Sequence, residues 1–223
     1  GISHEDEVIA KLKVVQPEYP EDKPWEGIEP TLELMRKGVP LIYQGVLKNG
    51  RAFGLPDLLE KTKGKSKLGS FSYRPVDIKS HAKVTSKDTL QLGAYSFMLQ
   101  EALGFMPLDG AIILKDQSRA DVDLGSQISK IQSALAQALS VEKKKVSTLP
   151  LRCSECGICP WSDHCDSDRK DQKLVTVLSG MNSRLMRKLI DGGVATYDRL
   201  AKLTPNQVTK RFDLGQDRAN KIH

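Results

Sequence analysis

The run Val76-Asp77-Ile78-Lys79 places the tightest limit on how this chain can fold. At the period of two that a strand imposes, Val76 and Ile78 take one face while Asp77 and Lys79 share the other. A face carrying a carboxylate and an ammonium cannot be sealed by apolar packing alone, so the strand from Phe71 to Lys79 has to finish at a polar pocket. A second acidic residue, Asp57, lies upstream in Gly54-Leu55-Pro56-Asp57-Leu58-Leu59. There Gly54 permits close backbone approach, and Pro56 cannot donate to a central ladder, which puts Asp57 at a strand end or bend.

Adjacent strands can bring these carboxylates together, and one or two carboxylates suffice for a divalent cation that keeps several of its waters. Lys79 beside them can orient a water or steady negative charge growing on a phosphorus atom. The strand before Asp57 is announced by a hairpin, in which Lys48-Asn49-Gly50 joins Leu41–Leu47 to Arg51–Gly54. The Lys-, Gly- and Ser-rich stretch 61–70 reads as a basic surface connection.

Downstream, Ser86 is the expected N-cap of a helix running to about Leu103 and stopped by Gly104. Gln91 and Tyr95, four apart, share one of its faces, with Leu92, Leu99 and Leu103 as packing positions. His4 and Glu5 open a helical pattern over residues 4–14, where His4 can supply an imidazole ligand. His81 lies past the strand end at Ser80 and is expected to be exposed or to face substrate. Taken singly, each residue has an ordinary structural explanation. As an ordered set, Gly-x-x-Asp, then Asp-x-Lys, then Gln-x-x-x-Tyr, they describe a metal-dependent phosphodiesterase site.

That set resembles the RecB-like branch of the PD-(D/E)XK nuclease superfamily, over most of the chain. The matching segments are Gly1-Ile2-Ser3-His4-Glu5, Gly54-Leu55-Pro56-Asp57, Val76-Asp77-Ile78-Lys79 and Gln91-Leu92-Gly93-Ala94-Tyr95. The resemblance implies an α/β fold: a restriction-endonuclease-like mixed central sheet flanked by helices. It implies that His4, Asp57 and Asp77, with the carbonyl of Ile78, bind Mg²⁺ or Mn²⁺, that Lys79 is catalytic, and that Gln91 and Tyr95 support the site. The implied activity is hydrolysis of DNA, single-stranded ends foremost, by a metal-activated water, leaving a 5′-phosphate. A non-catalytic DNA-binding or assembly subunit and an RNA-cutting enzyme are the alternatives.

All four cysteines fall between Cys153 and Cys165. Such clustering speaks for a metal rather than disulfides, and Cys153, Cys156, Cys159 and Cys165 suit tetrahedral Zn²⁺ and a [4Fe–4S] cluster equally well. His164 is a weaker zinc ligand. The segment Cys156–Cys165 resembles the cysteine signature of iron–sulfur RecB-like nucleases, including those of CRISPR adaptation, which favours [4Fe–4S]. Either Cys153 or a cysteine preceding the His4 motif completes the set, the start at Gly1 suggesting a fragment.

From Leu174 the character changes. Short helices around Asp191-Gly192-Gly193-Val194, and again around Leu214-Gly215, resemble helix-hairpin-helix modules that bind phosphate without reading bases. The expected organisation is thus a nuclease domain over 1–170, cysteines included, and an all-α module over 174–223 that is cut short. The 223 residues, 39% of them hydrophobic, are ample for one sizeable core, and a net charge of +6 suits an anionic polymer. Further expected elements are a helix over 31–37 stopped by Gly38, a core strand over 110–114 and a helix over 127–141. The sequence has no long apolar span for a membrane and no phosphate-binding loop of a helicase, so unwinding would come from a partner protein, and a cytoplasmic or nucleoid-associated location is expected.

Overall fold

Residues 2–143, 148–178 and 181–222 are described by a computed structural model, and they fall into two units, Gly1–Lys143 and Lys144–His223. The first unit is mixed α/β. Helix α1 (Ile2–Ile9) is followed by α2 (Ile28–Arg36), β1 (Leu41–Tyr43), β2 (Leu47–Asn49), β3 (Ala52–Gly54), β4 (Leu58–Ser66) and β5 (Gly69–Ile78). Helix α3 (Ser86–Leu103) then leads to β6 (Asp109–Ile113), β7 (Arg119–Asp123) and α4 (Ile128–Glu142).

Five strands form one sheet in the order β1-β4-β5-β6-β7, antiparallel throughout except for the parallel pair β5–β6, which α3 connects. Strands β2 and β3 form a separate hairpin turning at Gly50, which adopts φ +58°. Alternation along each strand decides the layers. Leu58, Val76, Ile78, Ala111 and Ile113 pack with Val8 of α1 on one face. Leu59 and Tyr73 pack with Met35, Met98, Leu99 and Leu103 on the other, where Leu92 and Ile131 extend the core beneath β6. Gly93 lets α3 and α4 close up, since a Cβ there would lie 2.7 Å from Ile131.

Several boundaries differ from the sequence reading. The stretch 61–70 is not a surface connection but the two arms of the β4–β5 hairpin, paired from Leu58↔Val76 to Ser66↔Gly69. Lys61 fits a strand because its ammonium is taken up locally: Nζ sits 4.3 Å over the Phe71 ring and donates to the carbonyl of Gly38. The expected helix over 4–14 stops at Ile9, where the N–H groups of Lys11 and Leu12 bond only three residues back, and Val15 then pairs in parallel with Ile42. Helix α2 starts three residues before Thr31. The N-cap of α3 is Thr85, in a reciprocal capping box with Asp88, not Ser86. Strand β7 had no counterpart in the sequence reading, because Arg119, Asp121 and Asp123 give it a charged face. Arg119 pairs with Glu60, and Arg74 bridges Glu60, Asp109 and Asp121 across the sheet.

The second unit is all helical among its described residues. Helix α5 (Ser162–Asp171) is followed by α6 (Ser183–Asp191), α7 (Tyr197–Leu200), α8 (Pro205–Phe212) and α9 (Gln216–Ile222). Val175, Leu185, Leu189, Val194, Leu200, Val208, Phe212, Ala219 and Ile222 form its core. Gly192 closes α6 against Phe212, for a Cβ there would fall 2.4 Å from the ring. No helix among the described residues is long and apolar enough to cross a membrane.

Candidate active site and cysteine segment

The register of the β4–β5 ladder builds the centre of the first unit. Leu58 faces Val76, so the next step outward sets Asp57 opposite Asp77 on the face that looks toward α3. Asp57 sits in the bend before β4, as Pro56 requires, and its Oδ2 accepts from the backbone N–H of Ile78 at 2.6 Å. Its carboxyl group also lies within hydrogen-bonding reach of Asp77. Asp77 is 1% exposed, and Lys79 Nζ lies 2.6 Å from its Oδ2. Lys79 donates onward to Gln91 Oε1 at 3.0 Å, and Gln91 Nε2 donates to the hydroxyl of Tyr95 at 3.0 Å. The structure therefore joins Asp57, Asp77, Lys79, Gln91 and Tyr95 in one continuous set. Gly54 makes room for it: a Cβ at Gly54 would lie 3.1 Å from Tyr95 and from Met98.

The electrostatics follow from burial and like charge. Burial first, then the charge of Asp77, push the Asp57 carboxyl far above the usual carboxylate range, against the bond from Ile78. For Lys79 burial opposes the charge, but the bond to Asp77 and the charges of Asp77 and Asp57 outweigh it and hold the ammonium above its ordinary range. Burial and the two aspartates likewise raise the Tyr95 phenol, with Gln91 opposing.

His4 occupies the rim. With Glu5, Ile78, Lys79, Ser80 and His81 it lines a cavity of about 220 Å³, and its Nε2 is buried without a hydrogen-bonding partner. Asp77 Oδ1 is orphaned in the same way. Among the described residues no three His, Cys, Asp or Glu side chains converge as a metal-holding group, so His4 does not join Asp57 and Asp77 as a third donor. A divalent cation nevertheless fits the donors present: two carboxylates suffice, one of them carries an unused buried oxygen, and their mutual repulsion calls for positive charge.

Two residues here, Glu5 and Asp88, were not assigned roles from sequence. Glu5 accepts from the Tyr43 hydroxyl at 2.9 Å, tying α1 to β1, and burial followed by that bond pushes the Tyr43 phenol up to about 12. Only its place beside His4 hinted at this. Asp88 accepts at Oδ2 from the N–H and hydroxyl of Thr85 and engages His81 Nε2 at 2.9 Å. The signal was present in the spacing Thr85-x-x-Asp88 that a capping box uses.

In the second unit Cys153 is exposed, and Cys156, Cys159 and Cys165 are half-buried, all as free thiols. A turn over Ser154–Ile158 holds Cys153 Sγ and Cys156 Sγ 3.8 Å apart, and Cys165 lies in α5. The backbone N–H of Cys153 lowers the Cys156 thiol below the usual range, with Arg169 and Arg152 adding to it. His164 is largely exposed, edge-on to Trp161. At the glycine turn, the N–H groups of Gly192, Gly193 and Val194 all donate to carbonyls of α6, and Arg211 and Arg199 donate to the carbonyls of Gly192 and Gly193. Those three N–H groups are spent on closing the helix.

No family model matches the chain, and no curated protein is similar to it in sequence.

Proposed function

We propose that this chain is a divalent-metal-dependent deoxyribonuclease of the RecB-like branch of the PD-(D/E)XK superfamily, its mixed sheet being that superfamily's core. The observation that carries the reading is the buried Asp57–Asp77 pair with Lys79 Nζ 2.6 Å from Asp77 Oδ2. A carboxyl group raised by burial and by a second carboxylate beside it is what a cation site requires and what a structural ion pair avoids. Asp57 and Asp77 hold Mg²⁺ or Mn²⁺, with the carbonyl of Ile78 as the further donor, while His4 stays at the rim of the cavity. When bound, the cation supplies Lewis acidity at the scissile phosphate and a more acidic water. Lys79 steadies the charge that grows on phosphorus and orients the water. Gln91 accepts from the ammonium and so limits where it can point, and Tyr95 fixes the Gln91 amide in turn. In the second unit, Cys153, Cys156, Cys159 and Cys165 hold a [4Fe–4S] cluster that fastens the segment 148–171.

The test is cleavage of labelled single-stranded DNA, and of RNA in parallel, with Mn²⁺ by the wild type, Asp77→Ala and Lys79→Ala. DNA cleavage by the wild type, reduced about 100-fold or more in each variant, is expected. Equal persistence of both substrates with all three proteins overturns the reading in favour of a binding subunit, and cleavage of RNA alone reassigns the substrate. Anaerobic purification separates the metals, since the cluster is brown and a zinc protein is colourless.

A further inference from the structure

The mouth of the cavity beside Lys79 holds a histidine whose orientation is fixed by a buried carboxylate. His81 lies two residues past Lys79, and its backbone continues the line of β5: the Lys79 N–H donates to the carbonyl of Ile113, and the His81 carbonyl accepts from the N–H of Lys115. Both ends of this short extension are thus tied to the strand beside β5. The ring is tied as well. His81 Nε2 lies 2.9 Å from Asp88 Oδ2, and Asp88, 4% exposed, is itself held by the N–H and hydroxyl of Thr85 at the start of α3. One carboxylate therefore caps the helix and aims the imidazole. The His81 side chain remains 43% exposed, and the ring lines the same cavity as Lys79 and His4. With Nε2 committed to Asp88, Nδ1 is the nitrogen left for whatever enters.

We propose that His81 is a further substrate-contacting residue, whose Nδ1–H donates to a phosphate oxygen of the bound strand adjoining the scissile bond. A ring carrying a proton on each nitrogen donates to the carboxylate at one and to the phosphodiester at the other. Burial works against the Asp88 charge, but the Thr85 bonds and His81 outweigh it and keep the carboxyl below the usual range, so the acceptor at Nε2 is ionised. The ammonium of Lys79 with a donor beside it at His81 suits a polyanion that must lie across the carboxylate pair without being repelled by it. The inference rests on the nuclease reading of the same site.

The experiment measures binding of a fluorescent single-stranded oligonucleotide to the full chain across a salt series, without divalent cation so that nothing is cut. It is run at about pH 5.5, about one unit below the ordinary histidine value. His81→Ala is expected to lose about tenfold in affinity and to lower the slope of log affinity against log salt by about 0.7, one phosphate contact on a single strand. His81→Lys restores the slope, and Asp88→Asn, which keeps an acceptor for Thr85 but loses the charge, falls between. A role confined to packing would not move the salt slope. Should His81→Ala lower the melting temperature, His81→Gln takes its place. Wild-type affinity and slope in the alanine or glutamine variant, with DNA still cut in the presence of Mn²⁺, overturn the inference and leave the nuclease reading standing. A wild type that neither binds nor cuts DNA or RNA overturns both.

Discussion

The carboxylates of the first unit and the cysteines of the second, the two places where a metal is proposed, hold their donor side chains by opposite means. Asp57, in the bend before β4, and Asp77, on β5, are set opposite each other by the β4–β5 ladder before any ligand arrives. The thiols ride on a turn and a short helix, and among the described residues no three of them converge. A sheet register is rigid because each residue is held by its neighbours' hydrogen bonds and by packing on both faces. A turn of a few residues has neither support, and on the proposed reading a bound metal would do the ordering instead.

The contrast breaks most visibly on metal removal. Stripping the cysteine-bound metal, or making Cys159→Ser, is expected to raise the rate of proteolytic cleavage within residues 148–171 at least about tenfold, because the metal's binding energy is the folding energy of such a segment. Cleavage within β4 and β5 should not change. Mass spectrometry of timed digests reads both, and equal protection of the cysteine segment with and without metal would remove the distinction.

A smaller effect sharpens the other side of the comparison. Asp57 has its carboxyl group raised in the folded chain, so the native state holds that proton more tightly than the unfolded one. Stability is then lost as pH climbs from the ordinary carboxylate range through the raised one, since the ionised form must be accommodated beside Asp77. Asp57→Asn, neutral at every pH and still able to accept from Ile78, should melt a few degrees above wild type at about pH 8 without divalent cation. The gain should vanish below about pH 4, where the unfolded chain also binds the proton. Mn²⁺ should raise the melting temperature of the wild type and not of the variant. A calorimetric series showing the same difference at both ends of the pH range would contradict the assigned cause.

The smallest expected effect comes at Gly54. Gly54→Ala puts a methyl group 3.1 Å from Tyr95 and Met98, so the neighbours must give by a few tenths of an ångström. The expected cost is about 1 kcal/mol in stability by chemical denaturation. Because Tyr95 orients Gln91, and Gln91 orients Lys79, turnover should fall more than substrate affinity. Loss of affinity alone would mean that the packing around Tyr95 does not reach the lysine.

The residues of the carboxylate site were legible as a sequence because each depends on a local rule. Alternation puts Asp77 and Lys79 on one face, helical spacing pairs Gln91 with Tyr95, and Gly-x-Pro-Asp marks the bend. The N-terminal helix was overextended toward Val14 and Val15, β-branched residues of which Val15 pairs with Ile42, distant in sequence. The hairpin arms over residues 61–70 were hidden for a related reason: lysines read as loop until an aromatic partner such as Phe71 lies beneath them.

What the amino-acid order determined by itself is the mixed α/β character of the first unit, its principal helices and the identity of the polar set, since these follow from periodicities of two and of about 3.6 residues. What only the tertiary structure decided is which of those groups meet. The Leu58↔Val76 register sets Asp57 against Asp77, burial rather than spacing raises the Asp57 carboxyl, and the capping carboxylate of α3 turns to hold His81. Register and burial depend on which segments pack together, and even the short His81–Asp88 contact depends on how the end of β5 lies against the start of α3, so periodicity alone does not encode them.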